Sequence, residues 1–148
     1  MLEELLKLVK ENAGDAIINN PDVPNENNDA VCETATNSIM EKLQGIADKD
    51  GLDSVLNLFE KGGDVENHPV VNSVSTGVAG DLMKKFNLDG NVAGTIVKSL
   101  IPIVLGKLVT KTNDPNDSSF NLESILGMLT GGKQGGGLLD KLKGMFGG

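Results

Sequence analysis

The 148-residue chain is long enough for one domain, which at that size buries roughly 68–70% of the surface of its unfolded chain. Aromatic residues make up only 3% of the sequence, and Trp and Tyr are absent, so the core is expected to be aliphatic. The formal net charge is −8 and every basic residue is Lys, which argues against nucleic acid as a partner because phosphate binding needs clustered positive charge.

Three features of the sequence favour a cytoplasmic location. The first residues, MLEELLKLVKEN, mix acids and lysines among the leucines and never form the uninterrupted apolar stretch of a signal peptide. The longest apolar run, residues 100–106, is far shorter than the roughly 20 residues of a membrane span. Cys32 is the only cysteine, so no internal disulfide can form.

The spacing of apolar residues predicts three helices in the first half of the chain. The first covers residues 2–12, and a loop rich in Asn, Pro and Asp follows at residues 19–29, where two prolines forbid a continuing helix. The second runs to about residue 48, with Gly51 placed to end it, and the third is a short helix from Leu52 that stops at Gly62 and Gly63. The apolar stripes that predict them are Leu2, Leu5, Leu6 and Val9; Val31, Ala35, Ile39, Leu43 and Ile46; and Leu52, Val55, Leu56 and Phe59.

A fourth helix is predicted to start after Asn67 and His68, since Pro69 is well suited to the first helical position. Its apolar residues recur every four positions, which argues against the alternation of a half-buried strand. These residues are Val70, Val74, Val78 and Leu82.

The fifth predicted helix, residues 91–112, is the most apolar segment of the chain. Apolar residues nearly all round it predict a central, buried helix. Pro102 lies inside it and is expected to kink the helix or divide it in two, because Pro lacks the backbone N–H that the helix needs. A turn at residues 112–119 and a sixth helix at residues 121–129 follow.

The C-terminal segment predicts a short helix that binds a surface. Residues 131–137 are rich in glycine and predict a flexible hinge. Residues 138–146 place their apolar side chains on one helical face. An isolated helix this short is marginal in water, so it is expected to gain order on its own domain, on another subunit or on a membrane. The predicted interaction residues are Leu138, Leu139, Leu142, Met145 and Phe146.

These elements together predict an all-α protein with three parts. Residues 1–130 are expected to form a single compact multi-helix bundle around the kinked central helix. The glycine-rich hinge covers residues 131–137, and the short amphipathic C-terminal helix covers residues 138–146.

The sequence predicts no catalytic residue, no cofactor and no metal. His68 is the only histidine, and its place beside Pro69 is typical of a capping or surface residue. Cys32 lies among acids that disfavour a thiolate, so it is expected to be an inert, buried thiol. The acid-rich turns at residues 48–53 and 113–119 lack the spacing of an EF-hand loop, and GGKQGGG lacks the order of a phosphate-binding loop.

Three stretches of the chain carry a family resemblance. They are VKENAGDAIINNPDVPNENNDAV, HPVVNSVSTGVAGDLMKKFNLDG and VTKTNDPNDSSFNLESILGMLTGGK, which together cover much of the sequence. In these stretches the chain resembles the YidB-like group of helical bacterial proteins, in a version typical of Bacteroidetes-type genomes. The resemblance implies an all-helical cytoplasmic bacterial protein of unknown function, and it supplies no catalytic residue.

The lack of a catalytic constellation and the hinged tail predict a noncatalytic interaction or assembly protein, which binds copies of itself or another protein. The alternative is a peripheral membrane or lipid-associated protein that uses the C-terminal helix, with residues 2–9, at the membrane surface. The acidity of the chain and the presence of only two lysines on the C-terminal helix disfavour this alternative.

Overall fold

The computed structural model describes residues 2–59 and 65–114, together with residues 116, 125, 127 and 129. Within these residues the protein is helical and contains no strand, so the all-α prediction is confirmed. The α-helices are α1 (Leu2–Glu11), α2 (Asn28–Asp50), α3 (Leu52–Leu56), α4 (Pro69–Phe86) and α5 (Gly90–Thr112). A π-helical turn (Gly14–Ile18) and two 3-10 turns (Asn25–Asn27 and Asn57–Phe59) connect them.

The predicted helices occur where the apolar spacing placed them. α1 and α5 match their predicted bounds to within one residue, and α2 ends at Gly51 as expected. Gly51 has φ +93°, a conformation in which a side chain would be strained. The π-helical turn at residues 14–18 was not predicted, because its five residues are too few to show a period.

α4 lies between α2 and α5 and packs against both. The face predicted from its four-residue spacing is buried, and Val71 joins it. Fully burying a valine or leucine stabilises a fold by roughly 1.5–3 kcal/mol relative to leaving it exposed, so this stripe is a major source of stability. The buried α4 residues are Val70, Val71, Val74, Val78 and Leu82.

The turn between α4 and α5 makes these helices antiparallel neighbours. Asn87 ends α4 in the left-handed conformation, with φ 53°, which Asn tolerates better than most residues. The carboxylate of Asp89 then accepts a hydrogen bond from the backbone N–H of Asn91 at 3.3 Å and so caps α5. A connection of residues 87–89 alone brings the chain straight back along α4.

The structure bears on two parts of the prediction for α5. It is one helix through Pro102 and is not divided there, while the predicted kink is left untested. It is also not the helix on which all others pack, because α2 packs mainly on α4, α1 and α3. Pro102 is half-buried and lies beside the exposed Ile103, where water can replace the backbone hydrogen bond that Pro102 cannot donate.

The segment after α5 is described at only a few positions. Ile125, Gly127 and Leu129 are helical, in agreement with the predicted sixth helix, and Ile125 and Leu129 are buried in the common core. The predicted hinge at residues 131–137 and the predicted helix at residues 138–146 lie outside the described residues.

The buried face of α5 leads to a stability prediction. Leu100 and Ile101 are fully buried, so Leu100→Asp or Ile101→Asp places an unpaired carboxylate in the core and should unfold the domain. Ile103 lies on the same helix but is 47% exposed, so Ile103→Asp should change the free energy of unfolding by only about 0.5 kcal/mol. Urea denaturation followed by circular dichroism measures all three. Equal losses at residues 101 and 103 would contradict the described orientation of α5.

Candidate functional site

A polar groove of about 400 Å³ lies between α2 and α4. We call this the α2/α4 groove and define it by the residues that line it. α2 contributes residues at positions i, i+3, i+4 and i+7, which share one helical face. The lining residues are Thr34, Asn37, Ser38 and Glu41 from α2, and Asp81, Lys84 and Lys85 from α4.

The floor of the groove is a hydrogen-bonded cluster around Asp81. The buried hydroxyl of Ser38 donates to the Asp81 carboxylate. The same carboxylate oxygen lies 3.8 Å from Lys42 Nζ, in an ion pair that is about one-third exposed on both sides. A pair this exposed contributes little to stability, so its main effect is to hold the Asp81 side chain and offset its charge.

Gly77 lets Lys42 cross α4 on its way to Asp81. A Cβ at Gly77 would lie 2.6 Å from both Cδ and Cε of Lys42, closer than atoms can approach. Gly in a helix interior is destabilising by roughly 0.5–1 kcal/mol relative to Ala, so its presence here is explained by the lysine stem that lies over it. Other small residues of α4 have no such contact. A Cβ at Gly80 would have no atom within 4 Å, and Ser73 is exposed.

Thr34 differs from the other threonines that the structure describes. Thr36, Thr76, Thr95, Thr110 and Thr112 each donate their hydroxyl to the carbonyl four residues earlier, at 2.7–3.0 Å. The hydroxyl oxygen of Thr34 is buried and makes no such bond. A buried hydroxyl without a partner costs roughly 1–3 kcal/mol, and this oxygen is closed off from solvent although Thr34 lines the groove.

The rim of the groove keeps opposite charges apart. Glu41 on α2 and Lys84 and Lys85 on α4 are exposed, and no ion pair within 4.0 Å joins Glu41 to either lysine in the described part of the chain. With Lys42, the groove has three lysines and two carboxylates, an excess of one positive charge in a chain of net charge −8.

α5 presents a second surface, which we call the α5 outer face. It extends over residues 92–110, about 27 Å at the rise of an α-helix, and is flanked by the exposed Lys98 and Lys107. The hydroxyls of Thr95 and Thr110 bond the backbone of their own helix, so these side chains add little polarity. The face consists of Val92, Thr95, Ser99, Pro102, Ile103, Gly106 and Thr110, which are exposed or half-buried.

By length and composition α5 is a candidate membrane span. Its most apolar window has a mean hydropathy of 1.8, and half of that window is buried inside the fold. The core helix of a soluble protein passes the same test, so the finding establishes only how apolar α5 is. The uninterrupted apolar run at residues 100–106 is shorter than the apolar part of α5, because Ala, Gly and Thr extend the apolar region beyond it.

His68 and Cys32 lie where the sequence placed them. His68 caps α4, with Nδ1 accepting from the backbone N–H of Val70 at 3.1 Å. It is at the opposite end of α4 from Asp81, roughly 20 Å away along the helix, so Ser38, His68 and Asp81 do not form a catalytic triad. Cys32 is buried, and burial is the main factor that raises the pKa of its thiol.

Sequence reasoning missed the groove. Spacing alone shows that Thr34, Ser38 and Glu41 share a face of α2, but such a face is ordinarily solvated. Asp81 comes close to this face of α2 only because α2 packs on α4. In the described residues no three His, Cys, Asp or Glu side chains come close enough to hold a metal ion. The predicted interaction residues Leu138, Leu139, Leu142, Met145 and Phe146 lie outside the described residues.

These observations define a small all-helical protein with a polar groove on one side and a weakly polar helix face on another. A family model described as a bacterial protein of unknown function, DUF937, matches residues 68–148. The chain therefore belongs to this family, of which YidB is a member, as the resemblance predicted. The Bacteroidetes-type version stays a prediction. No curated protein and no solved structure matches the chain.

The family match begins at the cap of α4. It covers α4, α5 and the whole C-terminal segment, including the predicted hinge and tail. The α2 side of the groove lies before residue 68 and outside the match.

The approach of Lys42 to Gly77 leads to a prediction of coupled stability. In a Lys42→Ala background, Gly77→Ala should stabilise the protein by about 0.5–1 kcal/mol, because alanine favours helix and the clash is gone. With Lys42 present the gain should be smaller, since the lysine stem must move. A double-mutant cycle measured by urea denaturation reports the difference. The same gain in both backgrounds would show that Lys42 does not lie over Gly77.

Burial of Cys32 predicts slow chemistry at its thiol. Burial raises the pKa of Cys32, nearby Asp29 and Glu33 add to the increase, and Lys10 opposes it. A thiol reagent should label the native protein slowly and the urea-unfolded protein at once. Because the folded thiol holds its proton more tightly, the free energy of unfolding should fall as pH rises through the folded pKa, and Cys32→Ala should remove that part of the fall. Rapid labelling of the native protein would contradict the burial.

Proposed function

We propose that this protein is a noncatalytic, cytoplasmic interaction or assembly protein that binds copies of itself through the α5 outer face and its C-terminal segment. The observation that carries the proposal is the α5 outer face. Between the flanking Lys98 and Lys107 this face presents apolar and weakly polar side chains over about 27 Å, which suits a protein contact. Ile103, 47% exposed near its middle, is the apolar anchor.

The predicted tail supports the same function. Its apolar residues are Leu138, Leu139, Leu142, Met145 and Phe146, and the family match extends over all of them, so the tail is part of what defines the family. Residues 133–148 contain three lysines and one aspartate, whereas the whole chain has a net charge of −8. A second copy therefore attracts the tail electrostatically.

The amphipathic helix α1 contributes less to the proposed contact. Leu5, Leu8 and Val9 are buried, and Leu6 is half-buried against the core. Its apolar face is therefore occupied within its own domain, which leaves α5 and the tail as the binding elements.

The noncatalytic part of the proposal rests on the polar residues. The hydroxyl of Ser38 faces the Asp81 carboxylate and has no imidazole beside it. His68 caps a helix, and Cys32 is buried with a raised pKa. None of the three has the neighbours that activate a nucleophile.

The α5 outer face can be tested in the full chain. Ile103→Asp should weaken self-association, measured by sedimentation equilibrium, because it places a charge in the contact, and the variant should stay folded. Ile18→Asp is the matched control, since Ile18 is 45% exposed on a different element. A molecular mass that is the same for both variants and the parent would contradict a contact through α5.

The tail is tested by truncation after Gly132. The shortened chain should stay folded, lose no more helix than the missing segment, and change its self-association in light scattering. Unfolding on truncation would show that the tail is an integral part of the core. Unchanged mass, solubility and partner binding would show that it makes no contact.

The second candidate is a peripheral membrane or lipid-associated protein, favoured by the apolar character of α5. Flotation with anionic vesicles distinguishes the two functions, with neutral vesicles as the control. Binding that is lost on deletion of residues 137–148 favours the membrane function. Self-association without flotation favours the protein contact.

A further inference from the structure

We propose that copies of this chain assemble head to tail, with the α5 outer face of one copy packed on an exposed acidic stripe of α2 in the next copy. This inference rests on the proposed self-association and names the surface that α5 meets. We call that surface the α2 outer stripe. Its exposed residues recur every three or four positions along α2, and they are Asp29, Glu33, Asn37, Glu41, Gly45 and Asp48.

The charge of the chain is divided unequally at residue 68, where the family match begins. Residues 1–67 contain fifteen acids and five lysines, a net charge of −10. Residues 68–148 contain six acids and eight lysines, a net charge of +2. Contact between unlike parts of two copies brings opposite charges together, whereas contact between like parts does not.

The lysines of α5 disfavour a symmetric contact of α5 on α5. Lys98 and Lys107 are exposed on the two sides of the α5 outer face, and neither has a carboxylate within 4.0 Å in the described part of the chain. No acid occurs between Asp89 and Asp114. A two-fold contact of this face with itself would gather four lysines and no carboxylate, so the face requires an acidic partner surface.

The acids of the α2 outer stripe are available to such a partner. Glu33, Glu41 and Asp48 have no lysine within 4.0 Å among the residues that the structure describes. Asp29 is paired with Lys10 at 3.8 Å, but its side chain is 87% exposed. The stripe is about 28 Å long at the rise of an α-helix, which matches the length of the α5 outer face.

Gly45 gives the stripe room for an apolar side chain. It is exposed inside α2, whereas the glycines inside α4 and α5 are half-buried. A Cβ at Gly45 would have no atom within 4 Å, so packing within the chain does not require glycine here. Glycine is unfavourable in a helix interior but lets another chain approach the backbone closely.

The two surfaces match at this position. In the contact, Ile103 of one copy packs at Gly45 of the next. Lys107 lies four residues after Ile103 and shares its side of α5, so it reaches the acids Glu41 and Asp48 on either side of Gly45. Lys98, at the other edge of the α5 outer face, adds to the attraction.

Gly45→Gln fills this space without adding a charge. Self-association of the full chain, measured by sedimentation equilibrium, should weaken at least about tenfold. The urea midpoint of the dilute, monomeric protein should rise, because glutamine favours helix more than glycine does. Ser73→Gln introduces the same side chain at an exposed position of α4 and should leave self-association unchanged.

Reversal of the stripe charges tests the pairing. The double variant Glu41→Lys, Asp48→Lys should weaken self-association at least about tenfold at low salt and less at high salt, because salt screens exposed charges. Adding Lys107→Glu in the same chain should restore part of the loss. The double variant Glu3→Lys, Asp15→Lys makes the same charge change at exposed positions outside α2 and should not weaken self-association.

A mixture of variants distinguishes a head-to-tail contact from a symmetric one. Ile103→Asp keeps an intact α2 outer stripe, and Gly45→Gln keeps an intact α5 outer face. Each alone should associate weakly, whereas an equimolar mixture should form a one-to-one complex, because one intact contact is possible between the two chains.

The outcomes separate this inference from the function on which it rests. An unchanged mass for Ile103→Asp contradicts the contact through α5 and, with it, the head-to-tail arrangement. If Ile103→Asp weakens self-association but Gly45→Gln and the reversed acids do not, α5 meets a different surface, and the head-to-tail arrangement alone is overturned. A parent chain whose mass stops at a dimer at high concentration also overturns it, because a head-to-tail dimer leaves one surface free at each end.

Discussion

The two-sided packing of α4 is the interaction on which the rest of the structure depends. Its stripe of valines and Leu82 is buried, with α2 on one side and α5 on the other. α1 and α3 reach the bundle chiefly through α2. α4 is therefore the main connection between the N-terminal helices and α5, beside smaller contacts of α5 with α1, the π-helical turn and the 3-10 turn Asn57–Phe59. With no Trp or Tyr in the chain, Phe59 is the aromatic side chain that the described residues bury in this otherwise aliphatic core.

Both surfaces described above follow from the position of α4. Ser38 lies opposite Asp81, and Lys42 crosses Gly77, so residue numbers rise along α2 as they fall along α4 and the two helices are antiparallel. This arrangement creates the polar groove at their outer edge. On the other side, α5 buries one face against α4 and leaves residues 92–110 of its outer face directed away from the core.

The sequence predicted the helices well because the spacing of apolar residues within each segment indicates a helix. The four-residue recurrence from Val70 to Leu82, and the turn at Gly51, gave the bounds and buried faces correctly. The same spacing does not show which helices pack against each other. The apolar character of α5 suggested that it was central, yet α4, with more polar and small residues, lies in the middle.

The groove could not be predicted for the same reason. Ser38 and Asp81 are 43 residues apart, and neither belongs to a motif. Asn113 is a similar case: the sequence suggested a turn residue, whereas its amide donates to the Phe59 carbonyl at 3.0 Å and ties the end of α5 to the 3-10 turn Asn57–Phe59. Contacts across such distances depend on the helix packing, which the spacing of apolar residues does not specify.

Native-state hydrogen exchange of the full chain tests the central role of α4 most directly. The amides of residues 74–82 should be among the slowest and should exchange only through global unfolding, with a free energy equal to that from urea denaturation. If those amides exchanged through a smaller opening while the amides of α2 and α5 stayed protected, α4 would not be the helix that joins the two halves.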